Sequence, residues 1–180
     1  MFGKIITMAA VAAGAVMVSK QLRKSRDSEK TTIEESIEVN VPVSVAYNQW
    51  TQFEDFPKFM KGVCEVRQLD DTHLYWRAEI AGKEEQWDAE ITEQIPDQRI
   101  AWRSTSGAEN AGVVTFHKIS DSTTRIMLQM DYGTKGFMEG LGDALGAVKI
   151  RTRGDLKRFK KFLEERGSET GAWRGSVAQH

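Results

Sequence analysis

The 180-residue chain has a single cysteine, Cys64, so no internal disulfide can close and nothing argues for an oxidising compartment. Its three histidines, His73, His117 and His180, are scattered without metal-ligand spacing, which argues against zinc chemistry. Neither a metal nor another cofactor is expected. An excess of one charge is also missing. The 25 Lys and Arg against 26 Asp and Glu give a formal net charge of −1, so the balance offers no reason to expect a nucleic-acid partner. There is no G-x-S-x-G elbow and no phosphate loop. GLGDALG, Gly140 to Gly146, superficially matches a dinucleotide fingerprint, but it opens a C-terminal helix instead of following a strand in a βαβ unit. Glu54 and Asp55 are neighbours that point apart on a short helix, so surface or capping roles suit them better than acid–base work. No catalytic constellation assembles.

What is present begins with an uncharged apolar run, Ile6 to Val18, followed by KQLRKSRDSEK. As a helix, Ile5 to Val18 reaches about 21 Å, short of the roughly 30 Å hydrocarbon core. Counting from Met1 to Ser19, with Lys4 snorkelling, the length is about 28 Å and a span becomes feasible. Residues 1–19 are therefore expected to be a transmembrane or signal-like segment. Ala13-Gly14-Ala15 has the small-x-small pattern of a signal-peptide cleavage site, and a peripheral amphipathic helix is a third reading. Lys20, Arg23, Lys24 and Arg26 follow the run, so the positive-inside bias places the remainder in the cytoplasm behind an uncleaved anchor. Residues 20–30 read as a charged linker.

TTIEESIEVNVP alternates, with Ile33, Glu35, Ile37, Val39 and Val41 on one side of a strand. Pro42 stops it and suits a helix start. Val43, Ala46, Tyr47 and Trp50 then fall at helical spacing, and Phe53, Phe56, Pro57 and Met60 repeat it as a second short helix. This stripe turns Trp50, Phe53, Phe56 and Met60 inward. Phe59 fits it less well and is the expected exposed ring. From Val63 to Tyr132 the period is two: Leu74, Trp76, Ala78 and Ile80; Trp87, Ala89 and Ile91; Ile100, Trp102 and Ser104; Gly112, Val114 and Phe116; Ile126, Leu128, Met130 and Tyr132. Charged residues alternate with them, as in an antiparallel sheet covered on one face. His117 falls on the wet face. The expected cover is one long helix, Gly136 to Arg166, with Met138, Leu141, Leu145, Val148, Thr152, Leu156, Phe159 and Leu163 as its stripe. Its first half holds Gly136, Gly140, Gly142 and Gly146, which suit either a cavity wall and gate or close helix–sheet packing. Its second half is basic (Lys149, Arg151, Arg153, Lys157, Arg158, Lys160, Lys161), read mainly as a solvated face. Near an anionic leaflet, each such base would add about 1 kcal/mol of attraction. Residues 168–180 read as a polar tail apart from Trp173.

The order of strand, two short helices, six antiparallel strands and long helix is the α+β helix-grip arrangement. Residues Ile37 to Leu69, Glu84 to Ser104, Ala111 to Ile119 and Gly154 to Gly167 also resemble the START-like polyketide cyclase/dehydrase and lipid-transport superfamily, which includes coenzyme Q-binding proteins. The opening strand-Pro-helix segment and W-x-A-x-I-x-x-x-x-P-x-x-x-I-x-W, Trp87 to Trp102, carry the likeness. It covers residues 31–167 and implies an elongated cavity between sheet and helix for a lipophilic molecule. The expected lining is Trp50, Phe53, Phe56, Phe59, Trp76, Trp87, Trp102, Phe116, Leu128, Met130, Tyr132, Phe137, Leu141 and Leu145. For the tryptophans, ordinary core packing is the competing reading, and for Tyr132 it is a buried hydroxyl with a nearby acceptor. The first functional expectation is a non-enzymatic, membrane-tethered protein holding a lipid or isoprenoid quinone. A cyclase/dehydratase-type enzyme is the alternative, to be revived by two or more convergent ionisable groups in the cavity. An envelope or stress interaction protein would show a filled core.

Overall fold

The computed structural model describes residues 30–80, 82–133 and 144–178. The N-terminal apolar run, most of the linker, and the stretch with Phe137 and Leu141 lie outside the described residues. Thr31–His180 form one compact unit. Among the described residues no helix is long and apolar enough to cross a membrane.

Strand β1 is Lys30–Val39, helix α1 is Val43–Trp50, and a 3₁₀ helix covers Phe53–Lys58. Six strands follow: β2 (Val63–Gln68), β3 (His73–Ile80), β4 (Lys83–Ile95), β5 (Arg99–Gly107), β6 (Asn110–Ser120) and β7 (Thr123–Gly133). Helix α2, Ala144–Arg166, ends the series. The seven strands form one sheet in the order β1-β7-β6-β5-β4-β3-β2. Neighbours from β2 to β7 are antiparallel hairpin partners, as the period-two pattern requires. Two irregularities in β4, between Asp88 and Ala89 and between Ile91 and Glu93, interrupt its pairing with β5. Bulges of this kind bend a strand and increase its twist, which lets the sheet wrap a helix.

The alternation holds residue by residue. Leu74, Ala78, Ala89, Ile91, Ile100, Val114, Phe116, Ile126 and Leu128 are buried on the concave face. The opposite face carries Arg103–Glu90 at 3.0 Å and Arg125–Glu38 at 2.6 Å. The second bulge also turns Gln94 inward, where its Nε2 donates to the Tyr47 hydroxyl at 3.0 Å. Gly112 has a steric role. It faces Trp102 across the β5–β6 ladder, and a Cβ there would lie 2.4 Å from the indole Cζ2 and 2.7 Å from the Gln129 carbonyl. Only glycine lets that indole lie across β6.

Helix α2 packs through Val148, Thr152, Leu156, Phe159 and Leu163, all buried. Leu145 departs from the expected stripe. It is 40% exposed, because the first described turn is exposed at Leu145, Gly146 and Ala147 alike. The basic run is only partly a solvated face. Arg153 forks onto Glu35 at 3.1 and 3.0 Å, Lys160 donates to the Glu38 carbonyl at 2.8 Å, and Glu164 accepts from Asn40 N–H at 2.8 Å. These contacts fasten one flank of α2 to β1 and its end. On the other flank Arg158 donates to the Phe59 carbonyl at 2.8 Å, Asp155 accepts from Lys61 N–H at 3.2 Å, and Arg151 donates to the Glu79 carbonyl at 2.5 Å.

The polar stretch after Gly167 folds back on the body. Thr170 exchanges hydrogen bonds with the buried Gln49 side chain, at 2.9 and 3.1 Å. Arg174 forks onto Asp97 at 2.9 and 2.8 Å, and Val177 pairs with Gln94 of β4 through both backbone groups, at 2.9 and 3.0 Å. The strap covers an edge of β4 that extends past the end of β3.

Candidate ligand cavity

A cavity of about 300 Å³ lies between the concave face and the first turns of α2. That is near the lower end for small-molecule sites, roughly 300–1,000 Å³. One part of its wall is a run of rings from four elements, α1, the 3₁₀ helix, β3 and β4. Trp50 meets Phe56 edge-on at 5.5 Å, Phe56 meets Trp76 at 5.6 Å, and Trp76 stacks on Trp87 at 5.8 Å with planes 6° apart. Each element delivers its ring by its own period: α1 presents Trp50 one turn beyond Ala46 and Tyr47, and β3 and β4 pair Trp76 directly with Trp87. Aromatic pairs of this geometry contribute about 0.5–1.5 kcal/mol beyond their buried area. Trp76 Nε1 is buried without a hydrogen-bond partner among the described residues.

Of the residues expected from sequence, Trp50, Phe53, Phe56, Trp76, Trp87, Trp102, Leu128, Met130 and Tyr132 line the cavity. Phe116 does not. It is 5% exposed and packs between Tyr47 and Trp50, at 5.5 and 6.2 Å, in the solid core beneath α1. Phe59 is not an exposed ring at all. It is 2% exposed, wedged among Phe56, Phe159 and Phe162 at 5.3, 5.0 and 5.5 Å. Phe59 follows the 3₁₀ helix, whose tighter turn shifts it away from the α-helical stripe. Leu145 is on the surface, while Phe137 and Leu141 lie outside the described residues.

Beside Thr152 of the expected stripe, the wall also holds polar groups that the apolar pattern did not single out: Glu109 and Asn110 from the β5–β6 turn and β6, and Arg151 and Asp155 from α2. Arg151 and Asp155 stand one helical turn apart beside the inward Thr152 and Leu156, a spacing legible in the sequence. Burial pushes the Tyr132 phenol up to about 12, with the Asp155 charge raising it further and Arg151 opposing. Tyr132 is thus a neutral phenol at ordinary pH, and its hydroxyl lies 3.4 Å from the Met130 sulfur. Burial likewise raises the Asp155 carboxyl above its ordinary value, opposed by hydrogen bonds from Arg158 and Lys61 N–H and by the Arg151 charge. Gly62 leaves the space Arg151 needs, since a Cβ there would sit 2.7 Å from its Nη1.

Glu54 and Asp55 are structural. Glu54 accepts from Gln68 N–H at 3.1 Å, tying the 3₁₀ helix to β2, and Asp55 accepts from Thr170 Oγ1 and Lys58 Nζ, each at 2.5 Å. Hydrogen bonds from Lys58, Thr170 and Gln49 hold the Asp55 carboxyl below its ordinary value against the opposing effect of burial, the largest single influence. Among the described residues no group of three His, Cys, Asp or Glu side chains could hold a metal ion.

A profile of the family described as polyketide cyclase / dehydrase and lipid transport matches residues 39–161. An uncharacterized 17.2 kDa protein from the melC2–rnhH intergenic region of Streptomyces lincolnensis is 59% identical over 146 residues, spanning 81% of this chain and 97% of that relative. Among solved structures, the Zhui aromatase/cyclase from Streptomyces sp. R1128 superposes with a TM-score of 0.65 at 15% identity, covering 80% of this chain and 99% of that one. A START superfamily protein from Mycobacterium smegmatis gives 0.60 at 16% identity, covering 75% and 95%. These two likenesses concern the fold.

Proposed function

We propose, since the chain belongs to the polyketide cyclase/dehydrase and lipid transport family, that it binds a hydrophobic small molecule between the sheet and α2. One observation carries the reading: an aromatic-walled space of about 300 Å³ that no side chain of the described residues fills. Burying an apolar ligand there contributes about 25 cal/mol per Å² before the costs of binding. Room for about ten water volumes suits a compact ring system. An isoprenoid quinone would place its ring inside and its chain outside. Native mass spectrometry on protein extracted from its own membrane, with lipid identification, is the direct test. A bound apolar molecule is expected. Protein that emerges empty, with no quinone or fatty acid changing its melting temperature, overturns the reading.

Membrane tethering with the domain on the cytoplasmic side is the finer proposal. It is supported by the apolar run before Val18 and the bases after it. Extraction of membranes at alkaline pH tests it: a tethered protein stays in the pellet, and one exported after cleavage does not.

A second reading, cyclase/dehydratase-type catalysis, gains from the convergence of Tyr132, Arg151 and Asp155 on the cavity. A neutral phenol, a guanidinium and a carboxyl of raised proton affinity can donate to or accept from a carbonyl-rich chain. The Zhui protein's description as an aromatase/cyclase supports this direction. Turnover of a poly-β-carbonyl substrate, lost in Tyr132→Phe, would establish it. A filled-core interaction protein is the reading that the open cavity favours least.

A further inference from the structure

We infer that Arg151 makes the cavity selective for ligands that carry an anionic oxygen on an aromatic or otherwise apolar body. The inference rests on the proposal that the cavity binds a small molecule, and names the chemistry of that molecule's polar group.

Arg151 lines the cavity, and its guanidinium is fixed from two sides. Nη1 donates to the Glu79 carbonyl at 2.5 Å, and the bare Cα of Gly62 leaves room for it, since a Cβ there would lie 2.7 Å from Nη1. Glu79 is itself tied to Gly62, its N–H donating to the Gly62 carbonyl at 2.7 Å, so the anchor is rigid main chain. The other carboxylates of α2 are already committed. Asp155 is bound by Arg158 and by Lys61 N–H, Glu164 by Asn40 N–H and Lys160, and Glu165 by Lys161. No carboxylate of the described residues forms an ion pair with Arg151, although Arg153 and Arg158 on the same helix each have one.

A guanidinium with one N–H on a carbonyl keeps further donors in a planar fork, the geometry that matches a carboxylate or enolate. The nearby Asp155 carboxylate is offset by its own ion pair with Arg158. Tyr132 adds a phenol that remains a neutral hydroxyl to about pH 12. A cation held by main chain in a mostly apolar wall, with no ion-pair partner among the described residues, favours a ligand that brings an anion. A neutral ligand of the same shape leaves it without one.

The test uses two isosteric probes, 2-naphthoate and 2-naphthamide, titrated calorimetrically at neutral pH into the full chain and into three variants. Wild type should bind the carboxylate about tenfold more tightly than the amide, the scale of one charge-assisted hydrogen bond. Arg151→Met should abolish the preference, bringing the affinities of the two probes to within about twofold of each other. Arg151→Lys should keep part of it, as a charge without the fork. Gly62→Ala, which keeps the charge but displaces the guanidinium, should reduce it as well. That substitution guards against a folding defect in the Arg151 variants. Equal binding of both probes by wild type, or an undiminished preference in Arg151→Met, overturns the inference. If neither probe binds wild type, the ligand-cavity reading itself fails.

Discussion

Phe59 and Phe56 look interchangeable in FPKF, yet they have different neighbours. Phe59 is enclosed by three rings, two of them on α2, whereas Phe56 also faces the cavity. Phe59→Ala should therefore cost about 3–5 kcal/mol in urea unfolding, with no direct loss of a ligand contact. Phe56→Ala should lose both stability and ligand affinity. Gly112→Ala tests the space beneath Trp102: the indole must leave β6 or the ladder must shift, so both melting temperature and ligand affinity should fall. Asp155 makes a pH prediction with a definite sign. Its folded-state affinity for a proton is raised, so its contribution to stability is present below the ordinary carboxylate range and is lost as pH rises through the raised value. The stability difference between wild type and Asp155→Asn should therefore shift in favour of the variant between pH 3 and pH 7, as followed by urea melts. A constant difference across that range would show that the carboxyl is not perturbed.

At the scale of elements, the period-two strands and their inward residues were legible because burial on one face leaves a period that a sequence cannot hide. From Leu74 to Leu128 every buried strand position followed that rule until the β4 bulge, where the added residue sent Gln94 inward. A bulge leaves no apolar signature, so Tyr47–Gln94 pairing could not be foreseen. The aromatic part of the cavity wall was legible from periodicity, whereas its polar part left only the spacing of Arg151 and Asp155 on α2. Arg151 and Asp155 sit in a run of bases that also serves the surface, and periodicity does not separate a cation bound to a main-chain carbonyl from a solvated one. Residues beyond Gly167 carry too little apolar surface to announce a docked strap, since hydrogen bonds from Thr170, Arg174 and Val177 hold it. Truncation after Gly167 exposes the buried Gln49 and Gln94 amides to water. It should lower the melting temperature by several degrees, about 1–3 kcal/mol, without changing the sheet's far-ultraviolet dichroism.

For the whole molecule, the family and the fold follow from patterns that many ligand-specific proteins share, so neither selects the ligand. In this domain a ring-lined cavity wall also carries the guanidinium of Arg151, anchored on the Glu79 carbonyl. Saturating ligand at about 100 times Kd should stabilise the chain by about 2.7 kcal/mol, with a negative heat-capacity change on binding. A melting temperature insensitive to every bound ligand would place binding outside the folded domain.

Helix α2 is fastened by hydrogen bonds on both flanks between Arg153 and Glu164, whereas among the described residues before Arg153 only Arg151 makes such a bond to the sheet, beside the buried Val148. Over the described residues its polar ties are spaced like the clamp of a cantilever, dense from Arg153 to Glu164 and single at Arg151. Amide hydrogen exchange should slow steadily from Leu145 to Leu163. If a bound guest leaves by local opening around Arg151, its residence time should not track the rate of global unfolding. Mutations that tighten the clamped half would raise the melting temperature without prolonging residence, whereas a stronger pin at position 151 would prolong residence with little change in melting.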